Sequence, residues 1–206
     1  MPGYKTIAGI SVAEHIEKRS RFVCLAAPIP DEGAASALLE DIRARHHGAN
    51  HNCYAYILRA GGIQRYSDDG EPSGTAGMPM LNVLRHRQIV DAIVIVTRYF
   101  GGTLLGAGGL VRAYSLGAGL ALDAVTVLNM QPCIIFSLEL PYHNYGKVQN
   151  LLAAFGAEVL DDSFSDIVRL RLRIVADKLP AFEKDLAQIT AGSVSPVVLS
   201  KEFAPV

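Results

Sequence analysis

The chain has 206 residues, half of them hydrophobic, with 19 Lys+Arg against 20 Asp+Glu. That length sets one or two domains with their own cores, and the near-zero net charge excludes bulk attraction to nucleic acid or anionic membrane. Three widely spaced cysteines without a CxxC exclude a disulfide framework, and no signal-peptide core or run of ~20 apolar residues is present, so a cytoplasmic protein with no membrane partner is expected.

Residues 20–29 form the first predicted strand. Asp31 then caps a helix with Ala35, Leu38, Leu39 and Ile42 on one face, stopped by Gly48. A strand over 51–58 turns at Gly61-Gly62 into residues 64–66. Thr75 is the predicted N-cap of a helix with Pro79 in its first turn and Leu81 and Leu84 on its buried side. A strand at 93–96 and a helix from about 110 to 125 complete an α+β first domain, residues 1–130.

The pattern breaks around Leu128–Pro132, which predicts a boundary there. In the second domain, 131–206, Ile134, Phe136, Leu138 and Leu140 alternate with Ile135, Ser137 and Glu139 as a half-buried strand. Tyr145 to Phe155 keep helical spacing and end at Gly156; a short strand follows near 157–160. Val168, Leu170, Leu172 and Ile174 alternate with Arg169, Arg171 and Arg173. A helix through Leu179, Phe182, Leu186 and Ile189 and a strand at 197–199 close a βαββαβ order, the ferredoxin-like arrangement.

Two glycine-dense segments carry the functional signal. In Arg98–Ser115, Gly101, Gly102, Gly106, Gly108 and Gly109 lie between a strand and a helix, where backbone N–H groups at a positive helix end suit an anion. This is not a Walker A loop, since Ala107 stands where its lysine belongs, nor a dinucleotide fingerprint, since Val111 replaces the third glycine. The functional expectation is a phosphate-type anion cradle with Arg98 and Arg112 at its mouth; the alternative is a tight packing turn.

In Ser67–Gly77, Asp68, Asp69 and Glu71 flank Gly70, with Ser73 and Thr75 close by. Carboxylates so dense repel unless neutralised. Three readings stay open: Mg²⁺ bridging them to a phosphate, a patch for an Arg/Lys-bearing partner, or a solvated turn with capping acids. His51 and Cys53 share a strand face, which allows a Cys/His nucleophile or a buried structural thiol. Arg169, Arg171 and Arg173 suit RNA backbone or an ordinary charged face, with Glu139 as a pairing acid; no aromatic residue interleaves for base stacking. Lys18-Arg19-Ser20-Arg21 and Arg43–His47 add local positive charge, a basic rim if the fold gathers them beside Arg98 and Arg112.

Lys18–Phe22, His51–Tyr56, Ser67–Gly77 with Pro79, and Arg98–Ser115 resemble the signature of the IMPACT family in its bacterial YigZ-type branch. The likeness spans roughly residues 1–125, and the tail resembles the small C-terminal domain of bacterial members. It implies a first domain with the fold shared by a small-subunit ribosomal protein's second domain and GHMP small-molecule kinases. It also implies a ferredoxin-like second domain similar to one in elongation factor G. Eukaryotic relatives carry a different accessory domain and act as translational regulators, competing for the activator of a starvation-responsive initiation-factor kinase. The family brings no established catalytic residues or cofactor. The expectation is a binding protein linked to translation, with RNA, the ribosome or a translation-related protein as partner. The alternative is a Mg²⁺-dependent enzyme acting on a phosphorylated or peptide-like small molecule.

Overall fold

Strands buried on both faces need cover on both sides, and Ile93-Val-Ile-Val96 is such a stretch. In the computed structural model, which describes residues 2–206, the chain divides into two compact units, Tyr4–Asn129 and Met130–Val206 with Pro2 and Gly3. The first unit contains β1 (Tyr4–Ala8), β2 (Ser11–Glu17), β3 (Ser20–Pro28), α1 (Glu32–Arg45), β4 (His51–Leu58), β5 (Ile63–Ser67), α2 (Gly77–Arg87), β6 (Ala92–Tyr99) and α3 (Ala107–Asp123). Its sheet runs β2-β3-β6-β4-β5, antiparallel throughout. Ile93 and Ile95 pack with Leu39 and Ile42 of α1 on one face; Val94 and Val96 pack with Met80, Leu84 and Tyr114 on the other. That arrangement explains why β6 is apolar at every position from 92 to 96.

Two start signals behave differently. Asp31 caps α1 as its sequence position suggests, its carboxylate accepting from the Ala34 N–H at 2.8 Å. Thr75 does not cap α2. The helix begins at Gly77, and Thr75 instead donates its hydroxyl to the Pro72 carbonyl at 2.7 Å. The α2 cap comes from nine residues upstream, where Asp68 accepts from the N–H groups of Gly74, Ala76 and Gly77 at 2.8–2.9 Å.

The second sheet is built on β7 (Thr126–Leu140), with α4 (Tyr142–Phe155), β8 (Glu158–Phe164), β9 (Val168–Val175), α5 (Leu179–Thr190) and β10 (Val197–Pro205). The two compact units divide between Asn129 and Met130, inside the Leu128–Pro132 stretch, and β7 runs through it as one continuous strand. Its pairing with β9 begins only at Cys133↔Val175, so the proline sits where that ladder ends and a missing N–H is tolerated. The order β10-β7-β9-β8 is antiparallel, and Phe136, Leu138, Leu170 and Leu172 meet Val148, Leu152, Phe182 and Leu186 from both helices on one face. The chain is thus, among the described residues, an α+β protein with two sheets and five α-helices. Among the described residues, no helix is long and apolar enough to cross a membrane.

On the opposite face the three arginines are largely neutralised. Arg169 pairs with Glu139, its cross-strand neighbour, at 2.8 Å, and Arg173 bonds both Glu158 and Glu202. Arg171 alone makes no ion pair among the described residues. This is a charged sheet face whose cations are two-thirds committed.

Candidate functional site

Antiparallel register sets His15, Phe22, Arg98 and His51 side by side across β2, β3, β6 and β4. Because alternate residues share a face, this row lies on the side of the sheet that α3 covers. It is the reason two segments distant in sequence meet. Arg98 is 5 % exposed, and Glu71 lies above it, 8 % exposed, with Nη1 to Oε1 at 2.6 Å. Tyr114 of α3 donates its phenol to the same oxygen at 2.7 Å. Burial above all, with the neighbouring Cys53 and Glu71, pushes that phenol far up, so it stays a donor. Ser20 Oγ accepts from Arg98 Nη2 and from the Gly101 N–H, both at 3.2 Å. The guanidinium carbon lies 5.6 Å from the centre of the Phe22 ring and 5.4 Å from that of Phe100.

The expectation of Arg98 at the mouth of an anion cradle is therefore corrected. Its donors point inward to Glu71 and Ser20, because a β6 residue two after Val96 must face the core side. Arg112 is exposed on the second turn of α3 and makes no ion pair among the described residues.

The carboxylates also separate. Asp68 is the α2 cap described above. Asp69 accepts from Arg43 Nη2 at 3.0 Å and from the Asn52 N–H at 2.7 Å, while Glu71 belongs to Arg98 and Tyr114. Each has its own donors, and among the described residues no group of three or more His, Cys, Asp or Glu is gathered to hold a metal. The bridging Mg²⁺ set of Asp68, Asp69 and Glu71 is not assembled.

Cys53 is no nucleophile here. Its thiol donates to the Asp68 carbonyl at 3.0 Å, and burial pushes it up to about 12. Cys24, likewise buried, is pushed to about 12. As pH rises past the ordinary thiol value, the unfolded chain ionises first, so these two thiols make stability fall between about pH 9 and pH 12. Thiol-reagent titration at pH 8 should leave Cys24 and Cys53 unlabelled in the native protein and label all three cysteines in denaturant. Fast native labelling of Cys53 would restore the nucleophile.

His51 differs. Its Nδ1 lies 2.9 Å from the Asp69 carbonyl, which only accepts, so Nδ1 donates to it, and in the neutral imidazole the lone pair is on Nε2. Nε2 sits 3.9 Å from Glu71 Oε1, beside a cavity of about 430 Å³. That cavity lies between the two glycine-rich segments: Gly70, Glu71 and Pro72 line one side, and Phe100, Leu104–Ala107 and Leu110 the other. Leu104 is 82 % exposed and Phe100 44 % exposed.

The glycines have separate tasks. Gly101 lies against the Lys18-Arg19 turn, Gly102 and Gly106 take positive φ of 80° and 73°, and Gly108 and Gly109 open α3. Gly106 is the α3 N-cap without a capping side chain, so the N–H groups at 107–109 have neither side-chain nor intrahelical acceptors. Ser73 is exposed and bonded to nothing among the described residues. Sequence reasoning missed Ser20, Tyr114, Phe100 and Leu104 as members of this site. Their signal was their place inside the motifs, which says nothing of which way a side chain turns.

The Impact N-terminal domain matches residues 18–122, and the Domain of unknown function (DUF1949) matches residues 138–193. The chain is 36% identical over 190 residues to "IMPACT family member YigZ" of Escherichia coli (strain K12), covering 91% of this chain and 93% of that one. It is 35% identical over 190 residues to "IMPACT family member YvyE" of Bacillus subtilis (strain 168), covering 92% and 88%. "Protein IMPACT homolog" of Dictyostelium discoideum is 37% identical over 95 residues, 44% of this chain and 27% of that one. A solved structure titled "Crystal structure of an hypothetical protein" superposes with TM-score 0.61 at 33% identity, covering 98% of this chain and all of the other.

Proposed function

The chain belongs to the IMPACT family, and on that premise we propose that it is a translation-linked binding protein that contacts ribosomal RNA. Its working surface is the cleft between residues 70–72 and 100–110. One observation carries this: Arg98 and Glu71 on the cleft floor neutralise each other as a buried ion pair that Tyr114 and Ser20 brace, and the nearby thiol is held protonated. Such a floor suits recognition rather than turnover. Around it, Lys18 and Arg19 lie beside Gly101, and Arg112 lies beside Gly108; all three are exposed and without an ion pair among the described residues. They form the local basic rim that a chain of near-zero net charge needs in order to meet phosphates. The strand order β10-β7-β9-β8, with both helices on one face, supports a ferredoxin-like second domain of the elongation-factor-G kind. The first domain is taken to share the ribosomal-protein domain-2 and GHMP-kinase fold. Three unpaired, buried cysteines accord with a cytoplasmic location.

Sedimentation of the full chain with ribosomes at 50 and 200 mM salt tests this. Co-sedimentation that weakens with salt is expected, and a Lys18→Ala/Arg19→Ala/Arg112→Ala variant should reduce the log–log salt slope by about 2, at ~0.7 for each phosphate no longer neutralised. No co-sedimentation at 50 mM salt, or an unchanged slope in the variant, would overturn it.

A further inference from the structure

Resting on that binding reading, the cavity can be assigned a ligand class from the hydrogen-bonding sense of its floor. Arg98 Nη1 and Nη2 are committed inward to Glu71 and Ser20, and its Nε, which has no partner among the described residues, is buried away from solvent, so the polar atoms left to the floor are acceptors. In the neutral imidazole, the Nδ1–H bond to the Asp69 carbonyl leaves the His51 lone pair on Nε2. The Glu71 side chain is 3 % exposed, and its Oε2 accepts no hydrogen bond among the described residues. Both groups line the cavity, with His51 Nε2 3.9 Å from Glu71 Oε1. A cation is poorly suited, because Arg98 already balances Glu71 and an added buried charge would stand unpaired. The fitting partner is a neutral planar edge with two adjacent donors.

The remaining walls narrow the class further. Phe100 has Arg98 over its ring and is still 44 % exposed in the cavity wall, which leaves aromatic surface for stacking a flat ligand. Gly106 and Ala107 bring the uncapped start of α3 to the same cavity, where a phosphate would meet free N–H groups. At about 430 Å³ the space lies within the ~300–1,000 Å³ range of pockets that enclose a drug-sized molecule.

We infer that this cavity is a guanine-nucleotide site. The base stacks on Phe100, its N1–H and amino group donate to His51 Nε2 and Glu71, and its phosphate lies at the N-terminus of α3. Among the four bases guanine alone places two donors side by side. Uracil would turn a carbonyl oxygen toward one of the two lone pairs.

Calorimetric titration of the full chain with GMP, AMP, CMP, UMP and inorganic phosphate tests the assignment. GMP should bind at least tenfold tighter than UMP, and phosphate alone more weakly than GMP. Phe100→Ala, at an exposed ring, should weaken GMP about tenfold while lowering the melting temperature by only a few degrees through the lost contact with Arg98. Equal affinity for GMP and UMP, no nucleotide binding at millimolar concentration, or unchanged GMP binding in Phe100→Ala would overturn it. A single-stranded oligonucleotide with one guanosine that binds ten times tighter than GMP assigns the site to RNA; equal affinity assigns it to the free nucleotide. Ribosome co-sedimentation without nucleotide selectivity would defeat this inference alone. Guanine selectivity without co-sedimentation would defeat only the ribosomal reading.

Discussion

Replacing Glu71 by Ala should lower the melting temperature of the first unit by roughly 10–20 °C. The substitution strands the Arg98 guanidinium, 5 % exposed, with Ser20 as its remaining hydrogen-bond partner. Removing one member of a buried ion pair costs about 3–5 kcal/mol, and ~2–8 °C accompanies each kcal/mol in domains of this size range. The Tyr114 phenol loses its acceptor in the same step. A buried charge pair can nonetheless be replaced by apolar groups at small cost, because both desolvation penalties vanish together. Glu71→Leu combined with Arg98→Met should therefore recover most of the loss. Thermal unfolding of the three proteins decides the matter: if the double variant melts no higher than Glu71→Ala, the stability does not come from matched charge. The same double variant should bind no guanine nucleotide, since Glu71 is gone, which separates fold from recognition.

The elements were legible where burial followed the residue pattern. β9 alternates buried Val168, Leu170, Leu172 and Ile174 with arginines, and its strand shows in the sequence directly. Edge strand β2 was missed because its polarity is inverted. Val12 and Ile16 are 58 % and 71 % exposed, while Ser11 turns inward to donate to the Ala121 carbonyl and His15 stacks on Phe22. An apolar stripe on the outside and polar atoms on the inside cannot be told from a loop by hydropathy. Around Pro132 the units do divide, between Asn129 and Met130, but the strand that runs through was hidden, since tolerance of a proline depends on where the ladder with β9 stops, a property of register.

The candidate site was legible in outline. Glycine density marked both segments that line the cavity, and His51 lay among the residues singled out. What composition could not supply was direction. Arg98 and Arg112 look equivalent in a motif, yet strand alternation buries the first under Glu71 while the second stands in solvent on a helix. Asp68, Asp69 and Glu71 look like one acidic cluster, yet each is drawn to different donors on α2, α1 and β6. Adjacent residues in a tight turn point apart, so sequence density overstates convergence.

Gly101→Ala should be the most damaging single methyl addition in the first unit's loops. A Cβ built at Gly101 falls 2.5 Å from the Ser20 nitrogen and closer still to the Arg19 carbonyl, both main-chain groups. Side-chain rotation cannot relieve that overlap. The Lys18-Arg19 turn is already tense, with φ of 45° and 70° at two non-glycine residues linking Glu17 to Ser20, and the close approach of Gly101 is what holds it. Forcing the loops apart removes the Gly101 N–H and Arg98 bonds to Ser20 together. Overpacking of this kind costs about 1–3 kcal/mol or more, and the rigid backbone on both sides places the substitution at the upper end. Gly102→Ala is the control: φ is 80° there but nothing lies within 4 Å, so only backbone strain of ~1–2 kcal/mol applies. Denaturant unfolding should rank Gly101→Ala well below Gly102→Ala, with faster tryptic cleavage at Lys18 or Arg19. Equal stabilities would mean that the loop and the turn are not locked together, and that Arg98 is held by Glu71 alone.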